Sequence, residues 1–122
     1  MMNKTILVIE DNEDNRRIMR DLLTSNGYEV IEAVTGEEGI TAAETYRPNL
    51  ILMDVQLPGM NGYEAAQRIK ANTDLQKVPI IVVTSYALSG EDVKAFEAGC
   101  DAYVSKPFSP RKLLTKIREY VP

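Results

Sequence analysis

The 122-residue chain contains no histidine and no tryptophan, and its single cysteine is Cys100. Without histidine it cannot supply a His-based catalytic triad, a histidine metal ligand or a phosphohistidine. A lone cysteine excludes an intramolecular disulfide, which fits a reducing compartment. The sequence also lacks a signal-peptide pattern and any apolar run near the roughly 18 residues of a membrane-spanning helix. We therefore expect a cytoplasmic protein whose chemistry depends on carboxylates, hydroxyls, lysine and backbone groups.

What the chain does contain is an ordinary globular composition, with 44% hydrophobic and 26% charged residues. This length and composition predict one domain over residues 1–122, with enough apolar residues for a real core. The formal net charge is −4. A protein that binds nucleic acid directly usually presents a basic stripe, so the charge argues against that class of partner.

Short apolar runs alternate along the chain with amphipathic helical patterns. The apolar runs predict strands at residues 5–9, 28–33, 50–54, 79–85 and 102–105. Each run is followed by a residue suited to a helix N-cap, namely Asn12, Thr35, Asn61, Ser89 and Ser109. Thr35 with Glu38 forms a capping box, and Gly27, Pro48 and Gly99 mark helix ends. The first helical pattern has apolar residues at Ile18, Met19, Leu22 and Leu23.

Five strand–helix units with short connections predict an α/β fold. Such a chain forms a mostly parallel sheet with helices on both faces and right-handed crossovers. In the flavodoxin-like order 2-1-3-4-5, functional residues gather at the carboxyl ends of the strands, near the switch point of the strand order.

Charged and polar residues occupy those strand ends in this sequence. Glu10 and Asp11 follow the first strand, and Asp54 ends the third, which is otherwise entirely apolar. Thr84 closes the fourth strand, and Lys106 follows the fifth. If the first and third strands are neighbours, the three carboxylates face one crevice.

Three neighbouring carboxylates repel one another unless a cation compensates them. Two unit charges about 4 Å apart repel by roughly 1–4 kcal/mol at dielectric constants between those of water and the protein surface. An oxygen-only site with room for water suits Mg²⁺, with Mn²⁺ as a substitute. Zinc is disfavoured because histidine is absent and the one cysteine lies elsewhere.

With a metal held by Glu10 and Asp11, Asp54 could act as an oxygen nucleophile toward phosphorus. Phosphoryl transfer depends more on positioning and charge neutralisation than on acid–base catalysis. Lys106 would add a positive point charge, and Thr84 a hydroxyl donor. The rigid apolar strand would hold Asp54 in place.

Four motifs, in this order and spacing, resemble the receiver domain of two-component response regulators across essentially the whole chain. They are "EDN" after the first strand, "LILMDVQLPGMNG" around Asp54, "VVTS" at the end of the fourth strand, and "SKP" at Lys106. The resemblance is strongest to stand-alone regulators of the cell-cycle type and to the receiver modules of hybrid histidine kinases.

The resemblance implies a role for each site residue. Asp54 is implied to be the phosphoacceptor. Glu10 and Asp11 are implied to be the acidic Mg²⁺ pair, with Asp54 and the backbone carbonyl of Gln56 completing the protein ligands. Lys106 is implied to bind the phosphate.

The resemblance also implies a conformational switch. Thr84 would move toward the phosphate, and the rotamer of Tyr103 would follow it. The peptide bond between Lys106 and Pro107 is often cis in this family.

The function implied is a phosphorylation-dependent switch rather than an enzyme. A histidine kinase or histidine phosphotransfer protein would phosphorylate Asp54 with Mg²⁺. The signal would pass by protein–protein contact, through the surface of the fourth predicted helix, the fifth strand and the fifth predicted helix. We expect a monomer or a phosphorylation-dependent dimer, without nucleic-acid or membrane binding.

Three alternatives follow from the same residues. The chain could be a receiver module cut from a hybrid histidine kinase, or a binding module that has lost the phosphorylation cycle. It could also be an aspartyl phosphohydrolase, but those enzymes place a second Asp two positions after the nucleophile, where this chain has Gln56.

Overall fold

The computed structural model describes residues 4–84 and 98–122. The strands are β1 (Thr5–Ile9), β2 (Glu29–Ala33), β3 (Leu50–Asp54), β4 (Ile80–Thr84) and β5 (Ala102–Ser105). The described α-helices are α1 (Glu13–Ser25), α2 (Gly36–Tyr46), α3 (Gly62–Ala71) and α4 (Pro110–Tyr120), with a 3-10 helix at Thr73–Leu75. The helix predicted to begin after Ser89 lies outside the described residues, apart from its end at Gly99.

The five strands form one sheet in the order β2-β1-β3-β4-β5, and every neighbouring pair is parallel. The predicted fold class and strand order are therefore confirmed. In this register Ile9 lies opposite Met53, and Asp54 lies opposite Val83. The carboxyl ends of β1, β3 and β4 consequently meet at one edge of the sheet.

Local capping determines where the helices begin. The Thr35 side chain accepts a hydrogen bond from the Glu38 backbone N–H at 3.1 Å, and the Glu38 carboxylate accepts one from the Val34 N–H at 3.3 Å. The second bond thus reaches one residue further back than in the usual capping box. The predicted N-caps Asn12, Asn61 and Ser109 are confirmed, because each side chain accepts from a backbone N–H three residues ahead.

The sheet separates two apolar layers because successive strand residues face opposite sides. Ile51 and Met53 of β3 pack with residues of α2 and α3, whereas Leu50 and Leu52 pack with residues of α1 and α4. Both faces of β3 and β4 are fully covered, as the continuous apolar runs predict.

Two expectations from the helical and strand patterns need correction. Ile18 is 47% exposed, so the apolar stripe of α1 is narrower than its sequence suggests. The second and fourth strands each begin one residue later than predicted, at Glu29 and Ile80, and the predicted end of the fourth strand at residue 85 lies outside the described residues. Across residues 4–84 and 98–122, each helix is too short or too polar to span a membrane.

Candidate functional site

Asp54 is the last residue of β3, and its side chain is held in one place from two sides. Lys106 Nζ lies 2.9 Å from Asp54 Oδ2, and the backbone N–H of Gln56 donates to Oδ1 at 3.2 Å. The residue is only 5% exposed. A buried, oriented carboxylate at a sheet edge is well placed to attack an incoming electrophile.

Glu10, Asp11 and Asp54 form an acidic cluster at this edge. Each contributes one carboxylate oxygen, and these oxygens all lie within 4.8 Å of one another. Glu10 is fully buried, whereas Asp11 is exposed. The cluster therefore has an inner wall and an open side, which leaves room for a hydrated cation.

Lys106 is the cation that the fold places inside the cluster. Its ammonium group contacts Asp54 as above and lies 3.2 Å from Glu10 Oε1. Burial alone would lower the pKa of Lys106, but the hydrogen bond and charge of Asp54, and then those of Glu10, raise it overall. The Lys106–Pro107 peptide bond is cis, as the resemblance implies.

Burial and the neighbouring Asp54 change the protonation of Glu10. Burial, followed by the hydrogen bond and charge of Asp54, raises the pKa of Glu10 to about 7. Metal-free Glu10 is thus partly protonated near neutral pH. An all-oxygen donor set with excess negative charge fits a hard divalent cation such as Mg²⁺.

The turn after β3 is shaped by Gly62, the first residue of α3. A Cβ atom at this position would lie 2.4 Å from the carbonyl oxygen of Asp54 and 2.9 Å from Val55 Cα. The Gly62 N–H donates to the Val55 carbonyl at 2.7 Å. Helix α3 can therefore start directly against the backbone that carries Asp54 only because residue 62 lacks a side chain.

Arg16 of α1 is a site neighbour that sequence reasoning missed. Its guanidinium Nη1 donates to the backbone carbonyl of Glu10 at 3.1 Å, and its Nε lies 3.1 Å from Glu32 Oε1. In the sequence, Arg16 and Arg17 look alike, as adjacent basic residues of an amphipathic helix. Only the packing of α1 on β1 and β2 distinguishes them.

The structure therefore brings together four of the predicted site residues: Glu10, Asp11, Asp54 and Lys106. Thr84 is buried at the end of β4, and its carbonyl accepts from the Lys106 N–H at 2.7 Å. Tyr103 lies in β5 opposite Val82 and is 36% exposed. The switch roles of Thr84 and Tyr103, and the metal-binding role of the Gln56 carbonyl, stay predictions.

Residues 6–118 match the sequence profile of the response regulator receiver domain. The polar-differentiation response regulator DivK of Brucella anthropi is 39% identical over 120 residues, which cover 98% of each chain. The DivK of Brucella abortus is 38% identical over the same share.

Solved structures give the same result. The receiver domain of the sensor histidine kinase PA1611 from Pseudomonas aeruginosa, with a magnesium ion coordinated in its active-site cleft, superposes with a TM-score of 0.91 at 34% identity, over 98% of each chain. A CheY-like receiver domain protein from Methanospirillum hungatei has a TM-score of 0.88 at 38% identity, over 97% of this chain and 93% of its own.

The chain belongs to the response regulator receiver family. It is a receiver domain of two-component signalling, similar to DivK, and phosphorylation-dependent switching is the general function of this class.

Proposed function

We propose that this chain is a Mg²⁺-dependent switch that accepts a phosphoryl group on Asp54 and passes the signal on by protein contact. The observation that carries the proposal is the position of Asp54 Oδ2, 2.9 Å from Lys106 Nζ and within one acidic cluster with Glu10 and Asp11. This arrangement pairs a nucleophile with the charges that a phosphoryl group needs.

The donor is a histidine kinase or a histidine phosphotransfer protein, because this chain has no histidine of its own. In the transfer, a carboxylate oxygen of Asp54 forms a bond to phosphorus while the donor's phosphorus–nitrogen bond breaks. The imidazole leaves, and an acyl phosphate remains on Asp54. Lys106 neutralises part of the charge on the phosphoryl oxygens.

Glu10, Asp11 and Asp54, with the carbonyl of Gln56, would hold the Mg²⁺. When bound, the ion supplies positive charge that three crowded carboxylates and an entering phosphoryl group both require. The magnesium ion in the cleft of the PA1611 receiver domain supports this assignment. Mn²⁺ would serve as a substitute.

Phosphorylation adds a dianionic group beside Lys106 and Thr84, and this new charge shifts the equilibrium between two surface shapes. The output face would be formed by β5, α4 and the helix predicted between β4 and β5, and Tyr103 would contribute to it. A downstream protein in the cytoplasm would read this face. Apart from its own phosphorylation and dephosphorylation, the chain catalyses no reaction.

The proposal is tested by incubating the purified protein with acetyl phosphate and Mg²⁺ and measuring acid-labile phosphate by intact mass. Wild-type protein should gain one phosphoryl group, and Asp54→Asn should gain none. Undiminished labelling of the variant would place the acceptor elsewhere. Asp21→Asn is the matched control, because that side chain is 69% exposed and Asp21, a residue of α1, is not a member of the acidic cluster.

Two further measurements separate the proposal from its alternatives. In a Mg²⁺ titration, binding that depends on Asp11 supports the switch, whereas the absence of any metal effect would favour a binding module without the phosphorylation cycle. Many turnovers on a phosphate monoester would show a phosphohydrolase instead.

A further inference from the structure

Arg16 links the acidic cluster to the neighbouring edge strand. One end of its guanidinium donates to the Glu10 carbonyl, and the other end pairs with the Glu32 carboxylate of β2, each at 3.1 Å. The Arg16 side chain is only 18% exposed. A planar guanidinium with several fixed donors can hold two acceptors in one geometry, which a lysine cannot do.

The carbonyl that Arg16 binds is part of the peptide unit joining Glu10 to Asp11. The orientation of this peptide determines the directions in which both carboxylates leave the backbone. Two other hydrogen bonds fix the same segment: the Glu10 N–H donates to the Ala33 carbonyl at 3.0 Å, and the Asn12 N–H donates to Glu10 Oε2 at 3.2 Å. Both of those donors are backbone groups, and Lys106 contacts the Glu10 carboxylate rather than this carbonyl. Arg16 is therefore a side chain whose replacement can change the orientation of the peptide.

An ordinary surface ion pair would not explain this arrangement. Arg20, one helical turn further along α1, also reaches Glu32 Oε1, at 3.2 Å, and is 40% exposed. Glu32 would thus keep a cationic partner if Arg16 were removed. The contact that distinguishes Arg16 from Arg20 is the hydrogen bond to the Glu10 carbonyl.

We propose that Arg16 is a positioning residue for the metal-binding acid pair. By holding the peptide between Glu10 and Asp11, it keeps their carboxylates directed toward Asp54 before a cation binds. This inference rests on the proposed function, since it assumes that the pair takes a divalent cation. Groups that orient metal ligands typically change metal affinity by about 10- to 100-fold when they are removed.

The test compares Arg16→Gln with Arg20→Gln. Mn²⁺ binding is measured by the loss of the free-ion electron paramagnetic resonance signal, with Mg²⁺ as competitor. The Mg²⁺ concentration that gives half-maximal labelling by acetyl phosphate is measured separately. Arg16→Gln should weaken Mn²⁺ binding and raise the half-maximal Mg²⁺ concentration about tenfold. Its labelling rate at saturating Mg²⁺ should stay within about twofold of the wild type.

A purely structural role would give a different result. Loss of folded protein lowers the labelling amplitude at every Mg²⁺ concentration. It leaves the Mg²⁺ concentration for half-maximal labelling, the midpoint, unchanged. Arg20→Gln removes one cation from Glu32 without touching the Glu10 carbonyl, so it should shift the midpoint less than about twofold if the positioning contact is what counts. The inference would be overturned if both variants shifted the Mg²⁺ midpoint equally, or if Arg16→Gln left the midpoint unchanged.

If Arg16→Gln does not fold, Arg16→Lys takes its place and must shift the midpoint by at least about threefold, because its ammonium group cannot hold both acceptors. A smaller shift overturns the inference. A wild-type protein that binds neither ion would instead defeat the proposed function itself. If the wild type binds the ions and the Arg16 variant binds them equally well, only the positioning role is refuted.

Discussion

Replacing Asp54 with asparagine should stabilise the metal-free protein while abolishing its phosphorylation. Asp54 carries a largely buried negative charge beside two others, and asparagine keeps its shape without the charge. The carbonyl of asparagine can still accept the hydrogen bond that the Gln56 N–H donates to Asp54 Oδ1 at 3.2 Å. The substitution therefore removes mainly electrostatic interactions.

The magnitude of the electrostatic interactions of Asp54 follows from its distances to the neighbouring charges. The carboxylate oxygens lie within 4.8 Å of one another. At that limiting distance, each repulsion of Asp54 by Glu10 or Asp11 amounts to about 3.5 kcal/mol at an effective dielectric constant of about 20. The attraction between Lys106 and Asp54, at 2.9 Å, amounts to about 6 kcal/mol at the same dielectric constant. The balance is about 1 kcal/mol unfavourable, and relief of carboxylate burial adds to it. We expect Asp54→Asn to raise the free energy of unfolding by about 1–2 kcal/mol, or Tm by about 3–8 °C.

The assay is urea unfolding followed by far-UV circular dichroism, in chelator, at about pH 8, where Glu10 is ionised. Adding excess Mg²⁺ should then stabilise the wild type more than the variant, because ligand binding to the folded state raises stability by mass action. Asp21→Asn should change stability by less than about 0.5 kcal/mol. If Asp54→Asn is less stable than the wild type in chelator by about 1 kcal/mol or more, the attraction of Lys106 exceeds the repulsion, and the reasoning is wrong.

Three more predictions concern pH and packing. Folded Glu10 has its pKa raised from 4.5 to about 7, so the metal-free folded state binds more protons than the unfolded state between these values. Its stability, measured by urea titration, should fall by up to about 3 kcal/mol as the pH rises through that window. Gly62→Ala should lower the free energy of unfolding by about 2–3 kcal/mol, because the new Cβ would lie 2.4 Å from the Asp54 carbonyl oxygen. Lys70→Met should lower it by about 2–3 kcal/mol, because the ammonium group donates to the carbonyls of Val78 at 2.6 Å and Gln76 at 3.0 Å.

Each of these predictions has a matched control. Glu10→Gln should flatten the pH dependence of the stability. An unchanged slope would show that another group causes this dependence. Gly59→Ala adds a Cβ in open space at a φ of 77°, so it should cost only about 1 kcal/mol. Lys77→Met, at an exposed position, should be nearly neutral. If Gly59→Ala or Lys77→Met lowers the free energy of unfolding as much as its partner variant does, the contacts of Gly62 or Lys70 are not the cause of the destabilisation.

Local sequence patterns were sufficient for the order and type of the described strands and α-helices, but they did not show the 3-10 helix at Thr73–Leu75. β3 and β5 begin and end where their apolar runs do, at Leu50–Asp54 and Ala102–Ser105, because the residues that end a strand lie next to it in the sequence. The N-caps Asn12, Thr35 and Asn61 bond to backbone groups three residues away. Such short-range interactions are readable from spacing alone.

The meeting of Glu10, Asp11, Asp54 and Lys106 was also predictable, because a parallel sheet in this order brings the strand ends to one edge. Contacts between packed elements were not. The sequence alone does not distinguish Arg16 from Arg17, nor does it show that Ile18 lies outside the core.

The sequence by itself thus determined the fold class and the meeting of the three carboxylates with Lys106. Only the tertiary structure decided how deeply Glu10 is buried, which arginine holds its carbonyl and why residue 62 has no room for a side chain. These outcomes depend on distances between elements that are remote in the chain. Those distances result from the packing of the whole core rather than from any local pattern.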